Sequence, residues 1–282
     1  MTTLSFRFGT VGSPNSTPKR PGGSVGAIQR IKELGLGALE LGWVNAVRVT
    51  EKTCAEIKAA GQEHNVLISV HAPYFINLNA DNEEWPKSRK RLMDAAHFGN
   101  LAGATDIIFH PGSYFCQPPE DVLEKAIPRL AGCMDELRME GNPVILRPET
   151  MGKSAMLGSW EDTLAMSKSV PGVQPCVDFA HLHARPGDGS MNTTNEWAHF
   201  LEAYSQVLGK EALQNMHIHL SGIEYGPKGE KKHLPIQEAD IDLNAIFQGL
   251  HTYNAGGRIL CESPIMENDA LFMCAAWKAI QS

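Results

Sequence analysis

Short apolar runs alternate with amphipathic segments along the whole chain. Runs that suit buried strands are FRFGTVG (6–12), GALELGW (37–43), VLISVHA (66–72), DIIFHPG (106–112), PVILRPE (143–149), QPCVDFA (174–180), NMHIHLSG (215–222) and RILCES (258–263). Between them, apolar residues recur at helical spacing. Leu123, Ile127, Leu130, Met134 and Leu137 form one stripe, with Pro128 predicting a kink. Leu243, Ile246, Phe247 and Leu250 form another, and Glu51 to Ala60 and Trp197 to Leu208 also read as helix. Parallel strands need long crossovers, so strand followed by helix, repeated, predicts a parallel sheet. Eight such units over 282 residues predict an α/β fold, a (β/α)8 TIM barrel spanning 1–282 as one domain. The stretches that read as loops are 12–24, 73–83, 182–195 and 222–238.

Composition narrows the class only modestly. The chain is 43% hydrophobic and 20% charged, ordinary for a globular protein. A formal charge of -7 argues against general coating of nucleic acid, while leaving room for a local basic groove. The six cysteines show no C-x-x-C pair, and Cys176 and Cys261 lie within apolar runs, which suits reduced thiols in the cytoplasm. No apolar run approaches a membrane span, and a soluble protein is expected.

The chemistry lies where the strands stop. In a barrel the C-terminal strand ends converge on one mouth. Six consecutive strands end in a group able to bind metal: His71, His110, Glu149, Asp178 with His181 just after, His217, and Glu262. A lone histidine at a strand tip is ordinarily a packed core residue. Three carboxylates and several imidazoles at one mouth are costly to bury without counterions, and divalent cations remove that cost. Imidazole with carboxylate suits zinc, with manganese and iron as substitutes. Three carboxylates and a bound hydroxide balance two divalent ions. His64, His97, His199 and His251 fall in helical stretches and read as surface or packing residues. His219 shares strand parity with His217, so both face inward. For His183 and His219 a supporting role fits as well as ligation.

In this order, SVHAPYFINLN, IIFHPGSY, PETMGK, CVDFAHLH, MHIHLSGIE, KKH and ILCESP resemble endonuclease IV, the zinc-dependent apurinic/apyrimidinic endonucleases within the xylose-isomerase-like barrels. The resemblance runs from about residue 66 to 265. It implies two to three zinc ions and hydrolysis of the DNA backbone 5′ to abasic sites, a base excision repair step. It implies that His71, His110 and Glu149 bind one metal, and that Glu149 bridges to a second held by Asp178, His217 and Glu262. His181 and His233 would bind the third. Glu149 and Glu262 would be the catalytic carboxylates, the latter orienting the nucleophile. Tyr74 and Phe75 match the pair that the family pushes into the duplex. Lys153, Arg185, Lys228, Lys231 and Lys232 are candidate phosphate contacts, with KSRKR (87–91) adding to them. One departure stands out. The family's Asp-x-His at the third metal reads Lys231-Lys232-His233 here, so that metal is expected to be weak or absent unless Glu230, Asp188 or His219 replaces the ligand. A monomer acting on abasic DNA, with no membrane partner, is expected.

Two other classes compete. Sugar isomerases and epimerases of the same barrels use Glu, Asp, His and Glu on one metal, a pattern that Glu149, Asp178, His217 and Glu262 satisfy. A non-catalytic metal- or DNA-binding protein would need no open coordination position, which suits a closed site better than a barrel mouth.

Overall fold

The computed structural model describes residues 6–281. Its strands are β1 (Phe6–Val11), β2 (Ala38–Gly42), β3 (Leu67–His71), β4 (Ala104–Phe109), β5 (Ile145–Pro148), β6 (Cys176–Asp178), β7 (Met216–Leu220), β8 (Gly222–Gly226), β9 (Gly229–Leu234) and β10 (Gly257–Cys261). Its α-helices are α1 (Gly23–Glu33), α2 (Glu51–His64), α3 (Trp85–Leu101), α4 (Pro119–Met139), α5 (Trp160–Ser169), α6 (Phe179–Ala184), α7 (Thr194–Leu208), α8 (Leu243–Thr252) and α9 (Glu267–Gln281). Eight strands form one parallel sheet in the order β5-β4-β3-β2-β1-β10-β7-β6. The outer strands β5 and β6 meet through parallel bridges, Leu146 with Val173 and Glu149 with Cys176, so the barrel is nearly closed. The expected TIM barrel is the fold, and Pro128 sits inside the unbroken span of α4.

Strand alternation sorts the two surfaces of this barrel. Outward residues such as Phe8, Leu39, Val70, Ile107, Phe109 and Ile218 are buried beneath the helices. Each contributes roughly 1.5–3 kcal/mol by leaving water. Inward residues are far more polar. The paired rows run from Glu40 to Ser69 to Asp106, and from Cys176 to His217 to Arg258. At the lower end of the barrel, Asp106 makes ion pairs with Arg147 and with Arg258 at 2.8 Å. Arg147 also donates to the carbonyls of Pro175 (2.9 Å) and Asn215 (3.1 Å). A buried carboxylate with two guanidiniums and carbonyl acceptors closes the floor with its polar groups paired.

The stretch 222–238 is not the expected loop. β8 and β9 form an antiparallel hairpin inserted between β7 and α8. Its sequence, GIEYGPKGEKKHL, alternates without a long apolar run, so periodicity alone hid it. Likewise, 182–195 begins inside α6, whose first turn is capped by the Asp178 side chain accepting from His181 N. Among the described residues no helix is long and apolar enough to cross a membrane. All six cysteines are free.

Candidate metal centre

The upper end of the barrel gathers the polar strand tips around Glu149. Its Oε2 lies 3.2 Å from His71 Nε2 and 3.3 Å from His110 Nε2. Its Oε1 lies 3.2 Å from His219 Nδ1 and 3.6 Å from His181 Nδ1. Three donor sets result at the mouth: His71, His110 and Glu149; Glu149, Asp178, His219 and Glu262; and His181, Glu230 and His233. Glu149 belongs to two of them, as a bridging carboxylate would.

Backbone carbonyls orient several of these imidazoles. A carbonyl only accepts, so the ring nitrogen facing it must carry the proton. His71 Nδ1 donates to Ala72 O (2.9 Å), which turns Nε2 toward the centre and Glu149. His181 Nδ1 donates to Thr150 O (2.9 Å), and its buried Nε2 has no hydrogen-bond partner. Asp178 Oδ2 is likewise buried without a hydrogen bond. His233 Nδ1 meets Ser221 Oγ at 2.7 Å, and its Nε2 faces Glu262 Oε2 at 3.8 Å. Unshared donor atoms, converging carboxylates and mixed N/O chemistry fit divalent cations.

Electrostatics agree. Burial raises Glu262, with the nearby Glu149 charge adding to the rise against the opposing pull of His219. Burial would raise Glu149 too, but His219, with hydrogen bonds from His110 and His71, brings it well below the ordinary range. Burial would lower His181, yet the Asp178, Glu149 and Glu230 carboxylates push it up to about 9. Protons thus hold places that a metal would take with their release.

The structure groups two of the expected sites differently from the motifs, and it gathers Cys176, His217 and His219 as a further donor set. His217, expected as a ligand, lies deeper in the barrel. Its Nε2 meets Glu40 Oε2 at 2.9 Å, and it is His219 that joins Glu149, Asp178 and Glu262. Parity could not separate the two, because residues two apart on a strand face the same way. Distance to the strand end does separate them, since β7 ends at Leu220. The third set also differs from the motif. Lys231 and Lys232 point to Glu224, each 3.3 Å from one of its oxygens, and Glu230 Oε2 lies 3.6 Å from His181 Nε2. Room for Glu230 comes from Gly152, where a Cβ would sit 2.7 Å from Glu230 Cβ and 3.1 Å from His181 Cδ2. Glu40 went unnoticed. The available signal was a carboxylate at an inward position of an otherwise apolar strand.

The expected DNA contacts are unequal. Tyr74 stacks on His110 with centroids 4.9 Å apart, and Phe75 projects with 64% of its surface exposed. Arg185 is committed to structure, donating to the carbonyls of Met151, Lys153 and Met156 and to Tyr114 Oη. In KSRKR, the cations pair with acids: Lys87 and Arg91 with Glu84, Arg89 with Glu136, Lys90 with Asp94. Lys153 and Lys228 are exposed without an ion-pair partner among the described residues.

A family model for the xylose isomerase-like TIM barrel matches residues 28–276. The chain belongs to that family. Among relatives of this xylose isomerase-like barrel, an uncharacterized protein of Methanocaldococcus jannaschii is 36% identical over 274 residues, 97% of both chains. Endonuclease 4 of Thermus thermophilus is 27% identical over 213 residues, covering 70% of this chain and 71% of that protein. In structure, a D-tagatose 3-epimerase-like protein aligns with TM-score 0.72 at 18% identity, over 97% of this chain and 96% of that one. Endonuclease IV from Thermus thermophilus aligns with TM-score 0.70 at 20% identity, over 97% and 98%. Both likenesses concern the barrel fold, which carries more than one chemistry.

Proposed function

We propose that the protein is a metal-dependent phosphodiesterase of the endonuclease 4 kind, a hydrolase incising DNA 5′ to abasic sites in base excision repair. The observation that carries this reading is the set of three adjoining donor groups, two of them sharing Glu149, which together hold more donors than one ion can use. His71, His110 and Glu149 would hold one ion; Glu149, Asp178, His219 and Glu262 a second; His181, Glu230 and His233 a third. Zinc suits these donors, with manganese or iron as substitutes. When bound, such ions supply positive charge for phosphoryl oxygens and make water acidic enough to be a nucleophile near neutral pH.

The protein's own groups do the rest. Glu149 and Glu262 are the catalytic carboxylates, the first fixing the spacing between donor sets and the second facing the open mouth to accept a proton from water. Tyr74 braces His110 by stacking, while Phe75 is free to enter a gap in a base stack. An abasic nucleotide leaves such a gap and costs little to swing outward. Lys153 and Lys228 are the phosphate contacts favoured here, with Lys231, Lys232 and Arg185 secondary because acids or carbonyls already engage them. On this reading the protein works as a cytoplasmic monomer.

A second reading has one observation of its own. Glu149, Asp178, His219 and Glu262 alone make a complete four-donor set for a single ion, as a sugar epimerase or isomerase would use. Incubation with a duplex carrying one abasic analogue, with zinc, manganese or iron and with chelator, separates the two. Chelator-sensitive cleavage 5′ to the lesion is expected. Intact duplex with every metal, together with turnover of a ketose, would establish the second reading instead.

A further inference from the structure

His219 is held differently from the other imidazoles of the centre. His71 and His181 are oriented by backbone carbonyls through Nδ1 and offer Nε2. His219 is turned the other way: Nδ1 hydrogen-bonds Glu149 Oε1 at 3.2 Å and lies 3.4 Å from Glu262 Oε1, while Nε2 lies 3.1 Å from Glu40 Oε1, two buried atoms that face each other without completing a hydrogen bond. Glu40 is fully buried on β2, on the side of His219 away from the other ligands. Its second oxygen accepts from Ser69 Oγ at 2.8 Å and lies 2.9 Å from His217 Nε2. Among the described residues no Lys or Arg is paired with it. Its polar neighbours are therefore the ring nitrogens of His217 and His219 and the Ser69 hydroxyl.

We propose that Glu40 is a positioning residue for the metal centre, holding His219 by its Nε2–H so that the Nδ1 lone pair is presented to the ion. Carboxylates flank both ring nitrogens, but an ion among Glu149, Asp178 and Glu262 claims the Nδ1 lone pair, which leaves the ring's one proton on Nε2, beside the accepting Glu40 carboxylate. The negative charge behind the ring also makes Nδ1 a stronger donor, and removing such a partner typically weakens metal binding about 10- to 100-fold. Ser69 and His217 keep the carboxylate in place, which explains why His217 shares the strand with His219 without reaching the mouth. A neutral residue at position 40 would leave His219 free to adopt the other tautomer, with a proton on Nδ1 where the metal should be. The inference rests on the metal-centre part of the reading above and holds for either reaction.

The test needs no substrate, so its outcome is separate from that of the cleavage assay. Zinc is titrated by calorimetry into metal-free wild type and Glu40→Gln, with circular dichroism checking the fold. One bound zinc is expected to weaken about 10- to 100-fold in the variant. In parallel, long-range nitrogen–proton NMR of the zinc-loaded wild type, labelled in its histidines, reads the tautomer directly. His219 is expected to keep a proton on Nε2 and none on Nδ1. Identical zinc isotherms would overturn the proposal. So would a zinc-loaded His219 lacking the Nε2 proton, and that measurement decides the matter even if Glu40→Gln does not fold.

Discussion

His219 Nδ1 stands 3.2 Å from Glu149 Oε1, joining a residue inside β7 to one just past β5 at the hub of the centre. Glu149 also touches His71 and His110, so its charge is shared among the donor sets. Glu149→Gln should cut metal affinity and activity by more than about 100-fold, beyond the usual loss for a supporting partner. His183→Ala should retain both to within about 10-fold. His183 bonds Ser190 O and Asp240, away from Glu149. Metal content and cleavage rate of the two variants check this, and equal losses would mean that the roles are misassigned.

Metal stoichiometry follows from the donor sets. Mass spectrometry of the purified protein should find two to three ions per chain, removable by chelator; a single ion would favour the epimerase reading. Glu230→Gln should lower the count, since Glu230 is the carboxylate beside His181. Lys231→Asp should leave it unchanged, because Lys231 is turned toward Glu224. A rise in occupancy with Lys231→Asp would restore the motif-based expectation.

The floor of the barrel predicts an acid limit to stability. Burial alone would raise Asp106, but Arg147 and then Arg258 hold it well below the usual carboxylate range. Its folded pKa is lower than its unfolded value, about 3.9. The stabilisation is therefore complete above that value and is lost as pH falls toward the folded pKa. Asp106→Asn strands two buried guanidiniums and should cost about 3–5 kcal/mol at neutral pH. Urea unfolding across pH 2–7 should show the variant losing less on acidification than the wild type.

Phe75 tests DNA contact apart from metal binding. Phe75→Ala should weaken binding of abasic duplex by roughly 1–3 kcal/mol, the scale of one lost stacking contact. Metal content should not change, since Phe75 projects outward with 64% of its surface exposed and belongs to none of the donor sets. Fluorescence anisotropy at fixed salt reads the first and mass spectrometry the second. Unchanged binding would remove Phe75 from the interface.

The barrel was legible in the sequence because each strand faces helices outward and so carries apolar residues at alternate positions, as in Ile107 and Phe109. The strand tips His71, His110, Glu149, Asp178 and Glu262 were legible for the same reason: polarity at the end of an apolar run is visible in one dimension. What tertiary structure alone decided was depth and pairing across strands. His217 and His219 have equal parity, and only the position of β7 against β2 sets one beside Glu40 Oε2 and the other between Glu40 and Glu149. Glu230 sits three residues before His233, outside the motif's spacing. The hairpin's register shift between Glu224 and Tyr225, and the absent side chain at Gly152, bring it to His181. The basic residues were the least legible. Whether Arg185 or Lys153 faces solvent depends on which carbonyls and carboxylates the folded chain brings within reach, and local sequence holds no record of those partners.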